Sequence, residues 1–355
     1  MSDDSGLTYR DAGVDIDAGD AMVRMIAGAV RKTWGPRVIG DFGGYAGLFR
    51  LDYRENLLRR DYNKPLLVAC TDSVGSKVLL AIETGRLDTV GIDAVAMNVN
   101  DLICTGAEPL FCLDYIATHT LDAEAMARIV KGFSDGCHQA GCALLGGETA
   151  EIPDLYAPGH FDLVGFAVGV VEQNRLIDGS HVRAGDVLIG LPSSGLHSNG
   201  FALARRALLG RGGYKLDQTV DELGGTLAEE LLRPTTVYVK TLQSLLGRYR
   251  RKRVVTAIAH VTGGGIEGNL PRVLPKGCAA RIDRGSWAVP PIFDLIERAG
   301  VKRTEMMRVF NMGLGMILTV RPNFLGSVLD QLAKEQTNPC VIGRIVRGRG
   351  GVQFR

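Results

Sequence analysis

Four short segments concentrate the residue types that do phosphate and metal chemistry. They are Asp41-Phe42-Gly43-Gly44, Thr71-Asp72-Ser73-Val74-Gly75-Ser76-Lys77, Asn98-Val99-Asn100-Asp101 and Gly146-Gly147-Glu148-Thr149-Ala150-Glu151. The second follows an apolar run and opens a helical one, so its backbone N–H groups around Gly75, the Ser76 hydroxyl and the Lys77 ammonium can receive an anion. It is not a Walker-type loop, because Gly-Lys-Ser/Thr occurs nowhere in the chain. On a helix through the third segment, Asn98, Asp101 and Thr105 share one face while Val95, Val99 and Leu102 face a core. Taken singly, each acid has an ordinary reading: Asp72 caps a helix, Asp101 sits on a polar face and Glu148 belongs to a turn. Taken together they differ, because Asp72 and Glu148 stand at strand C-terminal ends, where open α/β sheets bind ligands. Two carboxylates about 5 Å apart repel by roughly 3 kcal/mol in a medium of effective dielectric about 20, so converging acids require a cation. Hard oxygen donors suit Mg²⁺, which arrives with substrate phosphates; a Mg–nucleotide site on these acids is the expectation.

The second half adds two loops at strand-to-helix junctions. Ser193-Ser194-Gly195-Leu196-His197-Ser198-Asn199-Gly200 and His260-Val261-Thr262-Gly263-Gly264-Gly265 both have the composition for anion capture, and equally that of ordinary turns. Gly263, Gly265 and Gly268 also spell the dinucleotide fingerprint, with Asp283 downstream, which makes an NAD-dependent oxidoreductase a rival reading. A hydrolase built on His197 and Ser198 lacks the Gly-x-Ser-x-Gly elbow. A zinc site at Cys137, His138 and Cys142 competes with plain core packing of Cys137. A nucleotide-binding regulatory subunit is the non-enzymatic alternative.

The elements that must position these residues read as alternating strands and helices. Strands are expected over 66–71, 111–117, 143–146, 161–171, 186–191, 254–261, 315–320 and 340–346. Helices are expected over 17–33, 91–105, 122–140, 199–209, 223–232, 236–249, 291–299 and 323–335. A polar stretch at 172–183 divides the 355 residues into two α/β domains, 1–172 and 173–355. Lys and Arg total 41 against 39 Asp and Glu, a net charge of +2 that offers no basic stripe for nucleic acid. The run Arg248 to Arg253 reads as a solvated helix end. The longest apolar run, Leu163 to Val171, is far short of the roughly 20 residues of a membrane span. An acidic, polar N-terminus and seven scattered cysteines without Cys-x-x-Cys fit a cytoplasmic protein with reduced thiols.

In order and spacing, the motifs resemble the phosphoribosylformylglycinamidine cyclo-ligase family across residues 8 to 347. Tyr9 to Gly19 looks like its N-terminal signature. Asn100-Asp101-Leu102, Gly106 to Phe111 and Leu113-Asp114-Tyr115 are similar to its central motif. Gly146 to Pro153, His197 to Gly200, His260 to Gly265 and Phe310 to Met316 complete the set. Some of these motifs are shared with selenophosphate synthetase, thiamine-monophosphate kinase and a hydrogenase maturation factor, so a kinase-like or selenophosphate synthetase-like activity is the nearest alternative. The family reads Thr-Asp-Gly-Val-Gly-Thr-Lys where this chain has Ser73 and Ser76, which implies tuning of that loop.

The resemblance implies two α/β domains: an N-terminal mixed sheet that pairs across a homodimer into a barrel, and a sandwich-like C-terminal domain. It implies ATP-dependent closure of formylglycinamidine ribonucleotide to aminoimidazole ribonucleotide, with ADP and phosphate released. Asp72, Asp101 and Glu148 would hold Mg²⁺. Lys77 and the amides around Gly75, with Ser73, Ser76, Asn100 and Gly147, would meet the phosphates. Asp41, Gly43 and Gly44 would shape a lid over ATP. Ser198, Asn199, Gly200, Thr262, Gly263 and Gly264 would hold the ribose phosphate, and His197 or His260 would carry a proton.

Overall fold

Strands rich in Val, Leu and Ala alternate with amphipathic helices in each half of the chain, and each half closes its own sheet. The computed structural model describes residues 16–39, 48–50 and 62–355; Asp41, Gly43, Gly44 and most of the Tyr9–Gly19 signature lie outside the described residues. The first sheet contains β1 (Pro65–Ser73), β2 (Glu108–Thr118), β3 (Ala143–Glu151) and β4 (Phe161–Glu172), in the spatial order β1-β4-β2-β3. β4 is antiparallel to both neighbours and β2 is parallel to β3, so the sheet is mixed.

Four helices serve this sheet: α1 (Ile16–Arg31), α2 (Val78–Thr84), α3 (Val90–Cys104) and α4 (Ala123–Ala140). α3 lies against β1 and β4, α4 against α3, and α1 against α4. In α4, Met126, Ile129, Val130, Phe133, Cys137 and Ala140 recur every three or four residues and all are buried. Asp122 starts that helix by accepting the Glu124 and Ala125 N–H groups at 3.0 and 3.1 Å, and Gly141 ends it at a left-handed φ of 76°. On the other face the described residues leave Leu67, Tyr115 and Phe166 65 %, 39 % and 38 % exposed, with Phe49 packed against Phe111.

The second sheet joins β5 (Val187–Pro192), β6 (Val255–His260), β7 (Cys278–Ile282), β8 (Leu314–Val320), β9 (Cys340–Arg347) and β10 (Val352–Phe354) in the order β6-β8-β5-β9-β7-β10. All pairs are antiparallel except β7 with β10. Both faces are apolar. Ile189, Leu191, Ile258, Met316 and Leu318 join a core continuous with the N-terminal half, while Leu188, Ala257, Ala259, Ile317 and Ile342 form a second cluster behind. That double burial is why these strands read as unbroken apolar runs. Around the sheet stand α5 (Phe201–Arg205), α6 (Leu227–Leu231), α7 (Val239–Arg248), α8 (Gly265–Asn269), α9 (Pro291–Arg298), α10 (Arg303–Val309) and α11 (Leu325–Lys334).

Several expectations are corrected. The strand expected to stop at Gly146 runs to Glu151, so Gly147 and Glu148 lie on β3 rather than in a turn. The helix expected over 223–232 begins only after Gly224 and Gly225, where Thr226 and Glu229 form a capping box. The helix expected from Thr236 starts at Val239, because tertiary hydrogen bonds take the backbone of Thr235, Thr236 and Tyr238. The helix over 199–209 is α5 followed by a π-helical turn, Arg206–Arg211. β7, β10 and α10 went unanticipated, while α2 is the helix that the 71–77 segment was expected to open. The dinucleotide reading fails on topology: β6 is antiparallel to β8, its next strand in sequence is not its neighbour, and Asp283 pairs with Arg355.

Candidate active site at the domain junction

Register assembles the acids. Asp72 on β1 and Asp114 on β2 both pair with Gly165 on β4, and Asp114 pairs in turn with Gly147 on β3, giving one row across the sheet. Residues in one row point to one face. That face meets α3, because a Cβ added to Gly165 would sit 2.6 Å from Asn98 Nδ2 and 2.9 Å from the Ala94 carbonyl. Gly147 is needed for space as well, since a Cβ there would fall 2.2 Å from Asp114 Oδ1. Asp101, on α3, overlooks the β1 end of the row.

The acids sense one another. Burial raises the Asp72 carboxyl above its ordinary range, and Asp101 adds to the rise against the Ser73 N–H, which donates to Asp72 Oδ1 at 2.8 Å. Burial pushes Asp114 up to about 7, with Glu148 contributing. Hard oxygen donors gathered on one face suit a hard divalent cation. Asp72 and Asp114, with Asp101 opposite on α3, border one face and offer hard oxygen donors, whereas Glu148 pairs with Tyr115 in the next row and so points to the other face.

Asp114 supplies a pH signature. Its folded-state value lies above the roughly 3.9 of an unfolded aspartate, so its contribution to stability is lost as pH rises from about 4 to 7. Asp114→Asn should therefore gain stability relative to the wild-type chain between pH 5 and pH 8 in metal-free buffer. Urea midpoints that stay parallel across that range would show that this carboxyl does not titrate there.

The C-terminal half closes over the acids. From the end of β6, His260 Nδ1 lies 2.8 Å from Asp101 Oδ1, and its Nε2 is buried without a partner. A carboxylate only accepts, so Nδ1 carries a hydrogen. His197 sits at a left-handed φ of 61° and accepts the Ser194 N–H on Nε2 at 3.2 Å; its Nδ1 is buried and unpartnered. Burial, aided by His260 and Lys77, holds His197 well below the ordinary imidazole value, so it is neutral. Ser198 Oγ donates to the Val74 carbonyl at 2.9 Å rather than to His197, which removes the hydrolase reading. Three loops meet here: Ser193 donates its N–H to Gly313, Val261 to Gly315, and Gly263 lies beside Asn199. Asn269, unnoticed in the sequence, braces the 262–265 loop by donating to the Gly263 and Gly265 carbonyls at 3.1 and 2.9 Å.

Two expected phosphate contacts stand elsewhere. Lys77 is fully buried and its Nζ donates to Asp93 and to the carbonyls of His197 and Arg233. Asn100 is also buried, and its amide bridges the backbone of Thr236 and Tyr238 at 2.8 and 2.9 Å. Both join the halves. Ser73, Gly75, Ser76, Gly147 and Glu148 lie on or beside the acid row.

Comparison with known proteins decides the family. Residues 57–171 match the profile described as AIR synthase related protein, N-terminal domain, and residues 183–354 match its C-terminal domain. The phosphoribosylformylglycinamidine cyclo-ligase of Anaeromyxobacter dehalogenans strain 2CP-1 is 52 % identical over 347 residues, 97 % of each chain. That of Geobacter metallireducens is 49 % identical over 349 residues, 98 % of this chain and 97 % of the relative. The chain belongs to the phosphoribosylformylglycinamidine cyclo-ligase family. The cyclo-ligase fold is shared more widely. Thiamine-monophosphate kinase from Stenotrophomonas maltophilia superposes with a TM-score of 0.66 at 20 % identity, covering 94 % of this chain and 95 % of that one. HypE in complex with ATP superposes at 0.61 and 15 % identity, covering 97 % and 88 %. At such identities these two establish the fold alone. Within the cyclo-ligase frame, the signal for Asp114 was the Leu113-Asp114-Tyr115 motif, and only strand register turns it into a site residue. Among the described residues no helix is long and apolar enough to cross a membrane.

Proposed function

We infer that this chain closes the imidazole ring of aminoimidazole ribonucleotide from formylglycinamidine ribonucleotide and ATP, in purine biosynthesis. The observation that carries the reading is near-50 % identity to cyclo-ligases along almost the whole chain. The formyl amide oxygen attacks the γ-phosphorus of ATP and ADP leaves. The amidine nitrogen attacks the activated carbon, phosphate leaves and the ring closes.

Phosphoryl transfer asks chiefly for alignment and charge neutralisation. Asp72 and Asp101, with Asp114 in the same row, would hold Mg²⁺, which when bound neutralises the phosphate oxygens. Ser73, Ser76 and the Gly75 amide border the same edge and orient the polyphosphate. Lys77 and Asn100 hold the C-terminal loops against that edge instead of contacting phosphate. The loops at 198–200 and 262–264, adjacent in space, take the ribose phosphate. His260 accepts the amidine proton on Nε2 while Asp101 steadies its Nδ1–H, and neutral His197 offers Nδ1–H. Proton transfer by a positioned group contributes about 10²–10⁴-fold. His260→Gln is expected to lower kcat by about 10² at constant fold; undiminished turnover would remove His260 from this role.

A turnover assay with both substrates and Mg²⁺ tests the whole reading. Equal formation of ADP and aminoimidazole ribonucleotide, lost without Mg²⁺, is the expected result. ADP without the imidazole would favour a kinase of the same fold.

The sheet face with the exposed Leu67, Tyr115 and Phe166 fits a second copy of the chain, completing a barrel. Phe166→Asp is expected to shift the chain from dimer to monomer in sedimentation velocity. A wild-type chain that sediments as a monomer at micromolar concentration would refute the dimer.

A further inference from the structure

Three thiols meet inside the N-terminal half. Cys112 on β2, Cys137 in the last turn of α4 and Cys142 just ahead of β3 are 1 %, 0 % and 5 % exposed. Their Sγ atoms all lie within 4.8 Å of one another, and Cys112 and Cys142 are 3.7 Å apart. The pattern Cys137, His138, Cys142 pointed at part of this group, but His138 is exposed and Cys112 takes its place.

We propose that Cys112, Cys137 and Cys142 form a binding site for a soft monovalent ion of the Cu(I) class. Thiolates select soft ions. A metal–sulfur bond of about 2.3 Å spaces sulfurs about 3.8 Å apart in a tetrahedron and about 4.0 Å apart in a triangle, close to the spacing already present. Structural zinc takes four protein ligands, and among the described residues no fourth His, Cys, Asp or Glu atom joins the group. Cu(I) is satisfied by two or three sulfurs.

Thiolate is the form of cysteine that binds a metal, so each sulfur gives up its proton as it joins the shell. The ion would tie together β2, α4 and β3, the two strands being those that carry Asp114 and Glu148.

The test is anaerobic titration of the reduced full-length chain with Cu(I) against a chromophoric Cu(I) chelator. It is read by uptake, by X-ray absorption, by proton release in weak buffer and by thermal melting. Expected are one equivalent bound, two or three sulfur neighbours, two or three protons released per ion and a raised Tm. Cys142→Ala should lose the uptake, and Cys278→Ala, a buried thiol of the other half, should keep it. No uptake in competition, uptake unchanged by Cys142→Ala, or a nitrogen and oxygen shell would each overturn the site. Should Cys142→Ala fail to fold, the wild-type X-ray absorption shell decides alone.

Discussion

Asp101→Asn is expected to leave the chain folded and to lower ring-closing turnover by at least about 10³-fold, roughly 4 kcal/mol of transition-state stabilisation, the scale of a lost metal-site charge. The folding half of that expectation rests on exposure. The Asp101 side chain is 44 % exposed, and its one described hydrogen bond, from His260, can be accepted by an amide oxygen. Removing the charge also relieves Asp72, whose carboxyl Asp101 pushes up. What the substitution takes away is half of the negative pair at the β1 end of the acid row, the feature that makes a divalent cation favourable there. Asp72→Asn should behave alike, with Mg–ATP affinity falling in both. Calorimetric titration with Mg–ATP and a thermal melt on the same samples separate binding from folding. Turnover within tenfold of wild type, with an unchanged melt, would take Asp101 out of the cation set and leave it as a brace for His260.

How far the sequence carries the argument can be judged from individual residues. Asp72, Asp101 and Glu148 stood out because acids beside glycines at the ends of apolar runs are local patterns. The strands 65–73 and 161–172 and the helix 123–140 were legible for the same reason: period and caps are written within a few residues. Asp114 was not, because its place beside Gly147 and Gly165 depends on register between strands 30 to 50 residues apart. Lys77 reads as a phosphate contact because Ser-Lys after a strand is a local signal, whereas its partner in the structure, Asp93, is a helical residue with no such mark. Long-range hydrogen bonds likewise overrode helical periodicity at Thr235 to Tyr238. Short segments with weak patterns, such as Cys278–Ile282 and Arg303–Val309, acquire their structure from the sheet and helices they join.

Lys77→Met should be the most destabilising of the substitutions considered, about 3–5 kcal/mol, a large part of the 5–15 kcal/mol that holds a domain folded. The Lys77 ammonium and the Asp93 carboxylate are both 0 % exposed and 2.8 Å apart. Burial works against both charges, holding the ammonium below and the carboxyl above its ordinary value, and each partner opposes that drift. Methionine fills the stem's volume but strands Asp93 with only the Thr235 N–H and hydroxyl, at 2.8 and 2.6 Å. The remedy open to the variant is to protonate Asp93. With the lysine gone the folded-state value of that carboxyl rises further, so the variant's stability falls as pH rises through it. Lys77→Met should accordingly recover part of its deficit at pH 5 relative to pH 8, measured by urea unfolding. The double variant Lys77→Met/Asp93→Asn should be more stable than Lys77→Met alone, because it removes the orphaned charge. Activity should not return with stability. Lys77 also holds the carbonyl of His197, whose left-handed backbone depends on being fixed from outside, and the Arg233 carbonyl beside it. A double variant restored in both stability and kcat would show that the pair serves folding alone. One restored in stability but with kcat still depressed would establish Lys77 as the pin that sets the histidine loop against the acid row.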